Sequence, residues 1–243
     1  SQYVNIQSGQ FWERGSIGFG GTIVFNAVEI AVGVGSTSVV AVGDYGKAAR
    51  TVSYGDTLGS WTPLTLIEQR QIPAIGLSVD YPSTFERSFN DVTYDGATDT
   101  WVAVGFGGTI FNGVGIGTTT LYSQFSSTIQ TLNSVVYAQN EYIAVGNGGA
   151  IVASTVGQIW GPKTSNTAQN LRDIIYDGSK FIAVGDNGTI LTSTDKNYWN
   201  PFSSNLPAGT TNPATFDFTK IKFENGIYVG IATGGSIYYS LDL

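Results

Sequence analysis

The residues best equipped for chemistry in this chain are its carboxylates, among them Asp95 with Asp99 and Asp217 with Glu224. Paired carboxylates can share out the general-acid and general-base roles of a hydrolase. Both pairs, however, fall where the sequence reads as a hairpin turn, and there an Asp side chain accepts hydrogen bonds from its own backbone. Turn chemistry accounts for them without a reaction. Sialidase-type hydrolysis would need several Arg converging on one carboxylate, beside a Tyr nucleophile and an Asp acid. Arg14, Arg50, Arg70, Arg87 and Arg172 are spread one per region instead. No catalytic residue is assigned, and the chain reads as a non-enzyme.

What is missing narrows the chemistry further. The 243 residues include no His, no Cys and no Met, which removes Ser-His-Asp and Cys-His nucleophile systems, thiolate redox centres, disulfides and ordinary zinc sites. GDNG at 185–188 and GNGG at 146–149 look like ion or phosphate loops in composition only. A calcium loop needs alternating oxygen ligands over about 12 residues, and a phosphate loop needs a following helix and Lys. No metal and no cofactor are expected. With 11 Lys and Arg against 18 Asp and Glu, a net charge of −7 and the basic residues scattered singly, nucleic acid is not an expected partner. Membrane insertion is not expected either, since no stretch approaches the roughly 18 apolar residues of a spanning helix. The first residues have neither the basic nor the apolar region of a signal peptide.

The elements that must position any site are legible in a repeat. Hydrophobic residues make up 42% of the chain and 32 residues are Gly, a balance that folds and favours turns. The unit at 173–199, DIIYDGSKFIAVGDNGTILTSTDKNYW, recurs as SVVYAQNEYIAVGNGGAIVAST at 134–155 and as DVTYDGATDTWVAVGFGGTIFNG at 91–113. Shorter copies lie at 39–51 and 221–242, and GFGGTIVF at 18–25 reads as a sixth, compressed one. The marker series Gly43, Gly105, Gly146, Gly185 and Ala232 is spaced by 62, 41, 39 and 47 residues. A period near 40 matches one propeller blade, and the 62 reads as a blade plus an insertion at about 64–88.

Each copy parses into strands. A first strand ends at a D-G type turn, a FIAVG-like strand follows, and a G-x-x-G turn leads into the third. Phe181 and Ala183 face one side while Ile182 and Val184 face the other, so this strand must be covered on both faces. The small Ala41, Ala103, Ala144 and Ala183 suit close packing between blades. Trp61, Trp160 and Trp199 mark a weak outer strand. The expected fold is all-β: one propeller of four-stranded antiparallel blades over residues 1–243, six preferred within five to seven. Either residues 3–12 are expected to complete the last blade, joining the termini in one sheet, or the domain is expected to be part of a longer repeat array.

The pattern Y-D-G-x-x-F-I-A-V-G-D-N-G-T-I-L-x-S-x-D-x-x-x-W at 176–199 resembles repeats of the photosystem II assembly and stability factor propellers. It is similar, more loosely, to the bacterial neuraminidase repeat with its Asp box. Very similar repeats occur in structural proteins of tailed phages, cyanophages among them. Ser193, Asp195 and Trp199 approximate the Asp box. Ser154 is followed by Thr155 and Val156 with no Asp, and Asn112-Gly113 replaces the motif in another copy.

The resemblance implies a non-enzymatic binding or structural module of a virion or extracellular assembly, docking other virion or assembly proteins or a cell-surface glycan. The alternatives are a photosystem II assembly factor of the thylakoid lumen or periplasm, and a multivalent lectin. In a propeller the turns between second and third strands open on the same face as the connections between blades. That face is expected to gather Asp44, Tyr45, Phe106, Asn147, Asp186, Asn187 and Thr233. The insertion adds Arg70, Asp80, Tyr81, Phe85 and Arg87, alongside Glu68 and Glu86, the densest mixture of charge and aromatic groups in the chain. These are the candidate ligand- and partner-binding residues, because rigid scaffolds place recognition on loops.

Overall fold

The computed structural model describes residues 4–6, 10–12, 24–33, 36–54, 57–58, 61–72, 77–82, 88–202 and 216–243. A two-stranded sheet, β1 (Val4–Ile6) with β2 (Gln10–Trp12), comes first. Among the described residues, five blade-like sheets follow in chain order. The first holds β3 (Phe25–Gly33), β4 (Ser36–Gly43) and β5 (Ala48–Tyr54), with a broken outer edge of β6 (Thr57–Leu58) and β7 (Thr62–Pro63). Next comes a hairpin of β8 (Thr65–Ile72) and β9 (Leu77–Pro82). The second blade is β10 (Phe89–Asp95), β11 (Thr100–Gly105), β12 (Ile110–Val114) and β13 (Thr120–Gln124). The third is β14 (Leu132–Ala138), β15 (Glu141–Gly146), β16 (Ile151–Ser154) and β17 (Gly161–Lys163). The fourth is β18 (Leu171–Tyr176), β19 (Phe181–Gly185), β20 (Ile190–Ser193) and β21 (Asn200–Pro201). The fifth has three strands, β22 (Phe218–Glu224), β23 (Ile227–Ala232) and β24 (Ser236–Ser240).

Local chemistry sets the turns. In the third blade Gln139 and Asn140 both take positive φ, 53° and 59°, closing a two-residue hairpin in which Ala138 pairs with Glu141. Asn225 and Gly226 do the same in the fifth. Between second and third strands every blade makes one tight turn: Asp44–Gly46, Phe106–Gly108, Asn147–Gly149, Asp186–Gly188 and Thr233–Gly235. The residue before it is crowded rather than twisted. A Cβ on Gly43, Gly105, Gly146 or Gly185 would sit 2.0–2.2 Å from a carbonyl oxygen at the start of the first strand. That approach explains the glycine repeated at this position.

The core consists of seams between sheets. Trp101, Phe89 and Phe111 pack with Val40, Val42 and Ala48 across the first and second blades. Val102 and Val104 meet Val135, Ala144 and Trp160 across the second and third. Ile143 and Val145 meet Leu171, Phe181 and Trp199 across the third and fourth. Ile182 and Val184 meet Phe218, Ile221 and Tyr228 across the fourth and fifth. The two faces of β19 therefore serve two different seams, Phe181 and Ala183 one, Ile182 and Val184 the other, as its unbroken apolar run requires.

Two features depart from expectation. The strands of the insertion stand at the rim, where β8 pairs in parallel with β13 and extends the second blade to six strands. Unpaired strand edges attract strands, and β13 presented one. The hairpin β1–β2 pairs with itself, and among the described residues the fifth sheet holds β22, β23 and β24 without it. The sixth copy expected at 18–25 lies outside the described residues except for Val24 and Phe25, and Phe25 opens β3.

Candidate functional site

The first strand of every blade slips register at the same place: Phe25/Ala27, Phe89/Asp91, Leu132/Ser134, Leu171/Asp173 and Phe218/Lys220. A bulge re-aims its extra residue, here Asn26, Asn90, Asn133, Arg172 and Thr219. All five line one cavity of about 290 Å³, together with Asp217, Lys220 and Thr233. Since the five strands that supply them are consecutive inner strands, the cavity is the mouth of the propeller axis.

Three of these residues are latches between blades. The side-chain amide of Asn26 donates to the Phe89 carbonyl (2.7 Å), that of Asn90 to Leu132 (2.8 Å) and that of Asn133 to Leu171 (2.7 Å). Each acceptor is the opening residue of the next blade's inner region. Asn26 also donates to Asp44 (3.0 Å) and Asn133 to Asn147 (2.9 Å), so the tight turns are tied to the mouth.

The fourth blade breaks the series. Arg172 turns to Asp186, with Nε at 2.6 Å from Oδ1 and Nη2 at 2.9 Å from Oδ2, while Asn170 adds a third bond to that carboxylate at 2.7 Å. Pairing with Arg172 lowers the Asp186 carboxyl below its ordinary range and raises the guanidinium. The Arg172 side chain is held, yet 39% exposed, a pre-oriented planar donor facing the mouth.

Below the mouth the inner wall carries a buried polar string. Ser134 Oγ lies 2.8 Å from Asp91 Oδ2 and 2.9 Å from Asp173 Oδ1. Asp173 also receives Lys220 Nζ at 3.2 Å and the Ile221 amide at 2.8 Å. Burial raises the Asp91 carboxyl. Glu29 is pushed up to about 7 by burial and by the charge of Asp91. These bonds join the inner strands of the second to fifth blades, and the carboxylates of Asp91 and Asp173 are spent on them.

The residues expected from sequence divide into two groups. Asp44, Tyr45, Phe106, Asn147, Asp186 and Asn187 sit in equivalent tight turns, as does Thr233. Tyr45 and Phe106 are 55% and 62% exposed, and Asn187 bonds Gln169 and, through its amide, Asp217. Arg70, Asp80 and Tyr81 lie in the rim hairpin, Arg70 opposite Val79, Asp80 opposite Gln69 and Tyr81 opposite Glu68, rather than among the turns. Phe85 and Arg87 lie outside the described residues. Sequence reasoning passed over Asn26, Asn90, Asn133, Arg172 and Lys220. Aligning the first strands as NAVE, NDVT, NSVV, RDII and TKIK exposes the column that changes from Asn to Arg.

Other candidates resolve into turns. Asp95 accepts the Ala97 amide at 2.7 Å and Asp99 the Tyr94 hydroxyl at 2.6 Å. Asp195 Oδ1 accepts the amides of Asn197 (2.9 Å) and Tyr198 (2.8 Å), which hold its carboxyl low, and Ser193 accepts the Lys196 amide at 2.9 Å. The Asp box here is a turn that sets Trp199 into the seam. A groove of about 740 Å³ at the rim of the second blade is lined by Asn112, Tyr122, Gln124, Gln158 and the turn at 113–120. Among the described residues no three His, Cys, Asp or Glu side chains are grouped to hold a metal ion, and no helix is long and apolar enough to cross a membrane.

Repeated four-stranded sheets, shared seams and a common axial mouth define a β-propeller. Known structures agree: a YCF48 from Cyanidioschyzon merolae is 15% identical, with a TM-score of 0.59 over 94% of this chain and 73% of that one. The WD40 propeller domain of Doa1 is 14% identical, with a TM-score of 0.57 over 88% of this chain, which spans 64% of that domain. YCF48 bound to a D1 peptide is 14% identical at a TM-score of 0.50, covering 84% of this chain and 74% of the other. No family model and no curated protein matches the sequence.

Proposed function

We propose that the protein is a non-enzymatic docking module that holds a segment of a partner protein against its turn face, over the axial mouth. The observation that carries this reading is the substitution of Arg172 into the ring of latch asparagines. An exposed guanidinium, fixed by Asp186, stands at the mouth, and the exposed rings of Tyr45 and Phe106 stand on the turns of the first two blades. Aromatic and Arg anchors around a rigid concavity are what peptide and protein recognition uses. A propeller of like fold that holds a D1 peptide supports the choice of a protein ligand. The repeat resemblance adds the setting, a virion or extracellular assembly.

Selection of a displayed random-peptide library on the intact chain tests the proposal. Enriched peptides should lose at least tenfold in affinity, or about 1.4 kcal/mol, with Arg172→Ala and with Tyr45→Ala at unchanged melting temperature. Undiminished binding to the folded variants would sink it, and binding of glycans instead of peptides on an array would replace the ligand class.

A further inference from the structure

The second blade departs from its neighbours at the rim. Register aligns its Asn112 with Ala153 of the third blade and Thr192 of the fourth, and its Tyr122 with Gly161 and Asn200. The turn between these strands changes too. Ser154 and Ser193 open the turns that seat Trp160 and Trp199, whereas Gly113 stands at that position in the second blade, where a Cβ would lie 2.6 Å from the Thr120 carbonyl oxygen. Leu121 takes the register position of the Trp. These changes leave the groove of about 740 Å³, a volume typical of small-ligand sites. It shares no lining residue with the axial mouth.

Its polar groups converge on one face. Asn112 and Tyr122 pair directly across β12 and β13, so their side chains project from the same side of the sheet. The third blade contributes Gln158, next to Ile159, which bridges to Phe125 of the second. Gln124 Nε2 donates to Asn112 Oδ1 at 2.8 Å and to the Tyr122 carbonyl at 3.1 Å. A donor on Asn112 Nδ2 and an acceptor on Gln124 Oε1 are left without a partner among the described residues. Asn112 is nevertheless only 4% exposed. Burying an amide whose donor is unspent is costly where Ala serves in the third blade, and a ligand oxygen that accepts from it removes the cost. No carboxylate, Lys or Arg lines the groove, and Val114 is its one aliphatic side chain. The Arg50 guanidinium approaches the turn at Gly117 but stays outside the lining.

We propose that this groove binds a neutral saccharide. The half-buried Tyr122 ring offers an apolar face to the C–H side of a pyranose. Asn112 Nδ2, Gln124 Oε1 and the Gln158 amide supply the mixed donors and acceptors that adjacent sugar hydroxyls need. An uncharged lining has nothing to hold a phosphate, sulfate or carboxylate, and it offers no apolar pocket for a peptide anchor.

The test probes the intact chain with an array that carries gluco-, galacto- and manno-oligosaccharides beside sialylated and sulfated glycans. Neutral glycans should be retained, with little loss on adding salt. The strongest of them should bind about tenfold more weakly to Asn112→Ala and to Tyr122→Asn, each of which installs a residue that another blade carries at that position. Gln158→Trp, which narrows the groove from an exposed position, should weaken it as much, and melting temperatures report that each variant folds. Arg172→Ala should bind the glycan as the parent chain does. Retention of charged glycans alone, or of none, would overturn the proposal, as would full affinity in the folded groove variants. Loss with Arg172→Ala would move the glycan to the axial mouth and overturn it too. Peptide selection reads the mouth and this array reads the rim, so either reading can fail alone.

Discussion

Asn133 donates its side-chain amide to the carbonyl oxygen of Leu171, 2.7 Å away and in the next blade. The bond crosses a seam that also carries apolar contacts and the Ser134–Asp173 hydrogen bond, and its partner is a backbone carbonyl at the bulge of the next inner strand. Propeller blades have no covalent tie except the chain itself, so such bonds set the angle between neighbours.

Removing that latch has a definite cost. Asn133→Ala leaves a partly buried carbonyl without its donor, worth about 1–3 kcal/mol. Chemical denaturation should show a lower midpoint at unchanged slope. Asn90→Ala should behave alike, because it loses the equivalent bond to Leu132.

Close backbone approach makes a sharper contrast. Gly146→Ala would place a methyl 2.2 Å from the Thr131 carbonyl oxygen, whereas a Cβ at Gly161 meets nothing within 4 Å. Overpacking of this kind costs about 1–3 kcal/mol. Gly146→Ala should lower the melting temperature by several degrees, and Gly161→Ala should leave it within error.

Trp160 and Trp199 occupy equivalent buried sites, but Trp160 donates its indole N–H to the Gly157 carbonyl at 3.2 Å, whereas among the described residues Trp199 Nε1 has no partner. Both Trp→Phe changes lose volume. Trp160→Phe also loses the bond and should be the more destabilising by about 1 kcal/mol, read from paired urea titrations.

The inner wall predicts a dependence on pH. The Ser134 hydroxyl lies between the carboxyls of Asp91 and Asp173, and burial raises the Asp91 carboxyl. Glu29 is likewise raised, from 4.5 to about 7. A carboxyl whose folded pKa lies above its unfolded value stabilises fully below the unfolded value, and that contribution is lost as pH rises through the folded one. Stability should therefore decline between about pH 4.5 and 7. Glu29→Gln should flatten that decline, and an unchanged slope in unfolding free energy against pH would contradict it. At the acid end the order reverses, because Asp186 and Asp195 are lowered and their contributions fade below the ordinary carboxylate range.

Much of this architecture is written in local residue patterns. The two-sided apolar run Phe181–Val184 demands cover on both faces, and Asn-Gly and Gly-Gly turns demand hairpins, so strands, seams and tight turns can be read from the repeat. The gathering of Tyr45, Phe106 and Asp186 in equivalent turns follows from the same repetition. The placement of the insertion could not be read this way. Its strands β8 and β9 alternate like any others, and pairing with the free edge of β13 is a long-range choice with no local signature.

The axial mouth was equally hidden. A bulge shifts register by one residue, and whether Arg172 faces a core, a neighbour or an axis depends on five strands converging from positions far apart in the chain. Composition and repeat period determined by themselves that this protein is a propeller built without His, Cys or Met. Only the tertiary structure decided which polar residues latch the blades and which one, Arg172, is left at the mouth, because that distinction lies in contacts between blades and not within any one of them.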